Sequence, residues 1–456
     1  MHTIRPCAHC YTIHSDWDIC EVNLFGGEEL IEQLRAQNHL YTVAEKGANH
    51  TQLKVIASVT ESLHSQLDGV DAVLNKLAEP QVAIVSMTIT EKGYCADPAT
   101  GLLDLNNPLI QHDLANPEKP QSAIGFIVAA LKLRKEANLS AFTVMSCDNV
   151  QENGHVAKAA VLGFAKVLDS EMATWIETNV TFPCTMVDRI VPAVTSEVLN
   201  EINSELGVDD PCAIACEPFR QWVIEDNFVN GRPQWELVGA QLAADVVPFE
   251  QMKLRMLNGS HSFLAYLGYL GGYQHISDTM TNEAYRKAAI GLMLNQQVPT
   301  LSMPEGTDIE GYAKDLIERF INPSLKHQTW QIAMDGSQKL PQRWVDSIKF
   351  HLDHDSDYRP LALGVAAWMR YVSGMDEQGK NIDVKDPLSD TLEAIRNDSG
   401  FNTKVVDQLL AIESIFGKDL ASNISFVNAV KANYQLLLDK GAKRTVALLV
   451  NELAVA

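Results

Sequence analysis

Apolar and polar positions follow two different rhythms along this chain, and the rhythm changes near Val247. In the first half, short apolar runs at residues 17–24, 53–59, 81–90, 141–147 and 187–191 carry strand patterning. Between them, residues 28–37 and 122–137 repeat apolar side chains at helical spacing, SAIGFIVAALKL being the plainest stretch. Strands alternating with helices predict a parallel α/β sheet. From about Pro248 onward the strand signal fades. Residues 282–294, 309–321, 360–372, 405–416, 423–440 and 444–453 read as helices. The expected architecture is an α/β N-terminal domain over residues 1–247 and a mainly α-helical C-terminal domain over residues 248–456.

The longest uncharged stretch, MLNGSHSFLAYLGYLGGYQHIS at residues 256–277, approaches the ~20 residues that span a bilayer. Asn258, Ser260, His261 and its glycines argue instead for a buried helix pair. The opening MHTIRPCAHCYTIHSDWD has no apolar core of the kind a secretory leader needs. The net charge of −22 disfavours nucleic acid or an anionic membrane as a partner. It leaves room for an anionic small substrate, since a few cations in one pocket suffice. Eight scattered cysteines in a long acidic chain point to reduced thiols and a cytoplasmic location.

Several clusters carry candidate chemistry. Cys7, Cys10 and His14 resemble half of a metal site, but a second ligand pair at zinc spacing is missing, so no metal is expected. Cys212 and Cys216 lack redox spacing and read as core. KLRMLNGSH is richer: Lys253, Asn258 and His261 would bring an amine, an amide and an imidazole toward one side of one element. Those groups can exchange a proton, hold an oxygen and orient a hydroxyl without metal. A snorkelling lysine, a capping asparagine and a satisfied core histidine explain the same spacing, and more often.

Asn149, in SCDN at the end of a strand-like run, could offer a second amide, or simply cap a turn. TITEKGY, with Thr90 and Glu91, follows another strand and has the same two readings. MDGSQKLPQR sets Lys339 and Arg343 beside a glycine turn, where they could meet an anion or only solvent.

Taken together, these segments resemble the long-chain mannitol dehydrogenase and hexuronate reductase family. TFPCTMVDRIVP is similar to the family signature around Val–Asp–Arg–Ile, and KLRMLNGSH to its Lys-x-x-x-x-Asn-x-x-His element. The likeness runs through DWDICEVNL, YTVAEKG, TITEKGYCAD, LDLNNPLI, FTVMSCDNVQENGHVAK, CEPFRQWVIEDNFVNGRP, TLSMPEGTD and TWQIAMDGSQKLPQR. It implies a Rossmann-like domain followed by a helical one, NAD as cofactor, no metal, and reduction of D-fructuronate to D-mannonate. Tagaturonate and fructose are the alternative substrates within the family.

On the matching positions, Lys253 is implied as general acid/base, which requires a lowered pKa. Asn149 and Asn258 are implied as the amides on the reacting oxygen, and His261 as the group orienting the substrate. Asp188, Thr90 and Glu91 fall beside the cofactor. Lys339, Arg343 and Arg189 are the candidates for the substrate carboxylate. The ribose-selecting position after the second Rossmann strand, around residues 23–28, holds Glu28 and no arginine, which favours NAD over its 2′-phosphate form. A monomer or small homo-oligomer is expected.

One departure stands out. The family opens with a strand and a glycine-rich turn of the G-x-G-x-F-H-R-A-H kind, and no such motif occurs here. The run at 17–24 corresponds to the second Rossmann strand, so the N-terminal domain is expected to be incomplete, through an upstream start or a truncated or diverged chain. Without glycines to admit the pyrophosphate, NAD binding could be impaired. A non-catalytic relic of the fold is the competing reading from another class.

Overall fold

The computed structural model describes residues 16–97 and 101–454. The Cys7, Cys10 and His14 cluster lies outside them. The chain divides into two compact units, Met1–Val247 and Pro248–Ala456.

In the first unit, β1 (Ile19–Asn23) pairs in parallel with β4 (Val59–His64), and β5 (Ile84–Met87) with β6 (Thr143–Ser146). The helix Ala123–Glu136 covers this layer because its apolar residues fill more than one face: Ile124, Phe126, Ile127 and Leu131 are all buried. Each such side chain contributes roughly 1.5–3 kcal/mol by leaving water. Ser122 starts the helix by accepting from Gly125 N at 2.9 Å.

The sheet is not uniformly parallel, contrary to the alternation read from sequence. β2 (Tyr41–Lys46) runs antiparallel to β3 (Thr51–Ile56) and parallel to β8 (Ile214–Cys216). β7 (Thr185–Asp188) runs antiparallel to β9 (Gln221–Glu225), which pairs in parallel with β10 (Gln241–Ala243). The single run expected at 53–59 is two strands broken at Ala57 and Ser58. β2 escaped the hydrophobic pattern because it ends in Glu45 and Lys46. Both are buried yet paired, Glu45 with Lys54 at 2.7 Å and Lys46 with Glu201 at 2.5 Å. β7 also begins and ends earlier than the run at 187–191.

Cys212 and Cys216 are buried in the core beside Tyr41 and Val43, as their spacing suggested.

The second unit is helical. Gly259–Leu270 is apolar on all sides, with Phe263, Leu264, Tyr266 and Leu267 fully buried, and so sits at its centre. Arg359–Val372 and Thr329–Ala333 pack against it. The stretch at 256–277 therefore supplies this buried helix and a short second one, Ile276–Met280. No helix among the described residues is long and apolar enough to cross a membrane. The helix expected at 405–416 is instead two, Lys404–Leu410 and Glu413–Ser422, the latter kinked at Gly417, whose φ is 67°.

Among the described residues, three π-helical turns interrupt this bundle: Lys253–Asn258, Leu292–Gln297 and Pro341–Val345. They pack on one another.

Candidate active site

Lys253 and Asn258 open and close the first π-helical turn. That geometry corrects the simple helical reading. An α-helix turns ~100° per residue, which would leave residues five apart about 140° from each other. A turn with i→i+5 hydrogen bonds makes residues five apart near neighbours. The Lys-x-x-x-x-Asn spacing thus matches a π turn, and His261 follows in the α-helix that continues from it.

The widened turn leaves carbonyls displaced from ordinary helical partners, and the third π turn meets them. Arg343 Nη1 donates to the Asn258 carbonyl at 3.2 Å and to Ser262 Oγ at 2.7 Å. Trp344 Nε1 donates to the Gly259 carbonyl at 3.2 Å. Gln297, from the second π turn, donates to the Arg343 carbonyl at 3.0 Å. Burial pushes the Arg343 guanidinium down to about 10, so it keeps its charge at neutral pH. Arg343, expected at a substrate anion, is engaged in holding Asn258 and its turn.

Lys339 is placed by an irregular loop. Asp335 adopts φ 56°, and Gly336 follows where an added Cβ would stand 2.3 Å from Trp368 Nε1. Ser337 is fixed to Asp386 through its amide at 2.9 Å and its hydroxyl at 2.5 Å. Lys339 Nζ donates to the Met334 carbonyl at 2.5 Å and the Ile332 carbonyl at 3.2 Å.

His261 is only 7% exposed, and its ring lies 4.6 Å from that of Phe320 and 5.1 Å, edge to face, from that of His327. Burial first, and then His327, Arg319, Arg343 and Lys339, hold its imidazole well below the ordinary value. Burial likewise pushes His327 down to about 4, Lys339 adding to the effect. His327 Nδ1 is buried with no hydrogen-bond partner. His261 therefore stays a neutral imidazole in a positive surrounding, suited to accepting from or donating to a substrate hydroxyl. His327 and Arg319 were missed in the sequence. They lie 66 and 58 positions beyond His261, respectively, on separate segments, so no spacing relates them.

In the first unit, the candidates gather at the C-terminal ends of the strands. Thr90 and Glu91 are exposed just after β5, and Asn149 is exposed in the loop after β6. Asp188 ends β7 and is buried. Arg189 takes up a structural position: Nη2 meets Glu45 Oε1 at 2.7 Å, and both Nε and Nη2 donate to the Glu217 carbonyl, at 3.0 and 2.8 Å. In open α/β sheets these strand ends are where ligands bind.

Comparison with known proteins covers nearly the whole chain. Residues 4–237 match the mannitol dehydrogenase Rossmann domain, and residues 245–438 the mannitol dehydrogenase C-terminal domain. The chain belongs to the mannitol dehydrogenase family.

It is 65% identical to D-mannonate oxidoreductase of Escherichia coli (strain K12), over 95% of this chain and 90% of that protein. It is 40% identical to mannitol dehydrogenase 2 of Saccharomyces cerevisiae, over 93% and 85% of the two chains. Among solved structures it resembles mannitol 2-dehydrogenase of Pseudomonas fluorescens, a ternary complex with NAD and D-mannitol. That match has a TM-score of 0.84 and 39% identity over 96% of this chain and 88% of the other. A substrate-free D-sorbitol dehydrogenase superposes with a TM-score of 0.88 at 35% identity, over 96% and 91%. As members of the mannitol dehydrogenase family, both units carry a family domain: the Rossmann domain in the first and the C-terminal domain in the second.

Proposed function

We propose that this chain is an NAD-dependent oxidoreductase that reduces D-fructuronate to D-mannonate, reversibly. The observation that carries the reading is the 65% identity with D-mannonate oxidoreductase over 95% of the chain.

The exposed turn at Thr90 and Glu91 and the buried Asp188, all at strand ends, suit the nicotinamide end of the dinucleotide. NADH, when bound, supplies the hydride that reduces the keto carbon. In this reading Lys253 gives the proton to the developing alkoxide, and Asn149 and Asn258 hold that oxygen. His261, neutral and fixed against Phe320, orients a substrate hydroxyl. Lys339 faces the substrate, while Arg343 acts by fixing the Asn258 turn. The reaction takes place in the cytoplasm, in a monomer or small homo-oligomer.

The test is NADH oxidation followed by absorbance with D-fructuronate, D-tagaturonate and D-fructose in parallel. Preferred turnover of fructuronate is the expected result. Preference for either other sugar moves the substrate within the family, and silence with all three removes the enzymatic reading.

A further inference from the structure

At the ends of β5 and β6 one carboxylate joins two loops. Asp148 Oδ1 accepts from Thr90 N at 2.8 Å, and Oδ2 accepts from Ile89 N at 3.0 Å and from Tyr94 Oη at 2.6 Å. Tyr94 is fully buried, and its hydroxyl also lies 2.5 Å from Ser146 Oγ at the end of β6. Burial and the neighbouring Asp148 carboxylate push the Tyr94 phenol far above its ordinary value, so it remains a hydrogen-bond donor at any working pH.

What Asp148 grips is a strained turn. Thr90 has φ 62°, a left-handed conformation that a β-branched residue rarely adopts. Such strain persists only where the surroundings over-determine it, and two hydrogen bonds to adjacent amides from one carboxylate do so here. The far side of Asp148 is gripped as well. Asn153, buried, donates to the Asp148 carbonyl at 2.9 Å and to the Thr185 carbonyl at 2.9 Å, and accepts from Thr185 N at 3.0 Å. Asn149 directly follows the doubly held Asp148 in the loop and precedes Asn153, which holds the Asp148 carbonyl.

We propose that Asp148 is a positioning residue, which with Tyr94 locks the strained Thr90 turn to the Asn149 loop so that the coenzyme-side turn and the oxygen-holding amide keep one fixed geometry. The proposal rests on the oxidoreductase reading above. Asp148 itself touches backbone amides and a phenol, so its action on the reaction is through its neighbours. Small misplacements of such groups are costly, on the order of 10²-fold in rate for about 1 Å.

The experiment compares wild type, Asp148→Asn, Tyr94→Phe, Thr90→Gly and the Asp148→Asn/Thr90→Gly double variant. Each is measured for NADH affinity by fluorescence titration, for kcat and KM with D-fructuronate, and for thermal midpoint. Asp148→Asn replaces acceptor lone pairs by an amide that opposes the backbone donors. It is expected to lower kcat about 10²-fold and to weaken NADH binding about tenfold, with Tyr94→Phe shifting both in the same direction by less. Glycine adopts positive φ without strain. The double variant should therefore recover most of the NADH affinity lost by Asp148→Asn.

Kinetics and NADH affinity within twofold of wild type in both Asp148→Asn and Tyr94→Phe would overturn the proposal. So would a lowered thermal midpoint with unchanged kcat per folded site, or a loss that Thr90→Gly does not rescue. Wild-type silence toward the three sugars would remove the enzymatic reading, and the NADH titrations would still decide whether Asp148 fixes the coenzyme-side turn, because they need no sugar.

Discussion

Arg343 reaches across two π-helical turns to donate to the backbone carbonyl of Asn258 at 3.2 Å, while the same Nη1 meets Ser262 Oγ at 2.7 Å. One guanidinium thereby fixes both the residue proposed to hold the reacting oxygen and the first turn of the buried helix that carries His261. The carbonyl it satisfies belongs to a turn whose hydrogen bonding is displaced from α-helical register.

Replacing Arg343 with Met keeps the stem and removes both hydrogen bonds. Hydrogen bonds from a charged group contribute roughly 1.5–3 kcal/mol. We expect a lower thermal midpoint and a fall of about ten- to a hundredfold in kcat, an order of magnitude that follows from the same free energy. Thermal melts and steady-state kinetics on one preparation measure both, and an unchanged kcat would free Asn258 from dependence on Arg343.

Lys253→Ala should abolish reduction while leaving the fold intact. General acid–base catalysis is worth about 10²–10⁴-fold, and the loss should fall in kcat, with NADH affinity preserved. Circular dichroism and NADH titration establish that the variant is folded. A rate within tenfold of wild type would remove Lys253 from the proton-transfer role.

The two histidines make stability depend on pH in a definite direction. His327 titrates at about 4 in the folded protein against an ordinary value of 6.5, and His261 is shifted the same way. Between those values the unfolded chain binds the extra proton. Stability is therefore fully present above about pH 6.5 and declines as pH falls toward 4. His327→Gln should flatten the part of that decline due to His327, visible as a smaller drop in thermal midpoint between pH 7 and pH 5. An identical pH profile in the variant would show that His327 does not titrate this way.

Gly336→Ala tests the loop that places Lys339. The new Cβ would meet Trp368 Nε1 at 2.3 Å and Tyr266 Oη at 2.7 Å, both on fully buried side chains with little room to move. Overpacking of this kind costs about 1–3 kcal/mol. We expect a thermal midpoint several degrees lower together with a raised KM for fructuronate. A variant with wild-type stability would mean that the loop yields freely.

Where apolar periodicity was strong, the sequence was enough to locate elements. The helix Ile309–Ile321 and the helix Ala123–Glu136 with its Ser122 cap fall where their spacing puts them, because a helix that buries its side chains repeats apolar residues at helical intervals. β2 was invisible because burial of Glu45 and Lys46 is made tolerable by Lys54 and Glu201, partners that local pattern does not contain. The antiparallel pairings of β2 with β3 and β7 with β9 were likewise unreadable, since strand direction is a relation between segments.

The chain's motifs by themselves determined the family, the reaction class and the residue types at Lys253, Asn258, His261, Asn149 and Lys339. These groups are set by covalent order and identity, which the sequence contains in full. Tertiary structure alone decided that Lys253 and Asn258 share a π turn and that Arg343 supports that turn. It also decided that Arg189 is committed to Glu45 and Glu217, and that His327 lies against His261. The last three depend on side chains far apart in sequence meeting in a low-dielectric interior, where an unpaired charge or hydrogen-bonding group is costly and its partner fixes its role.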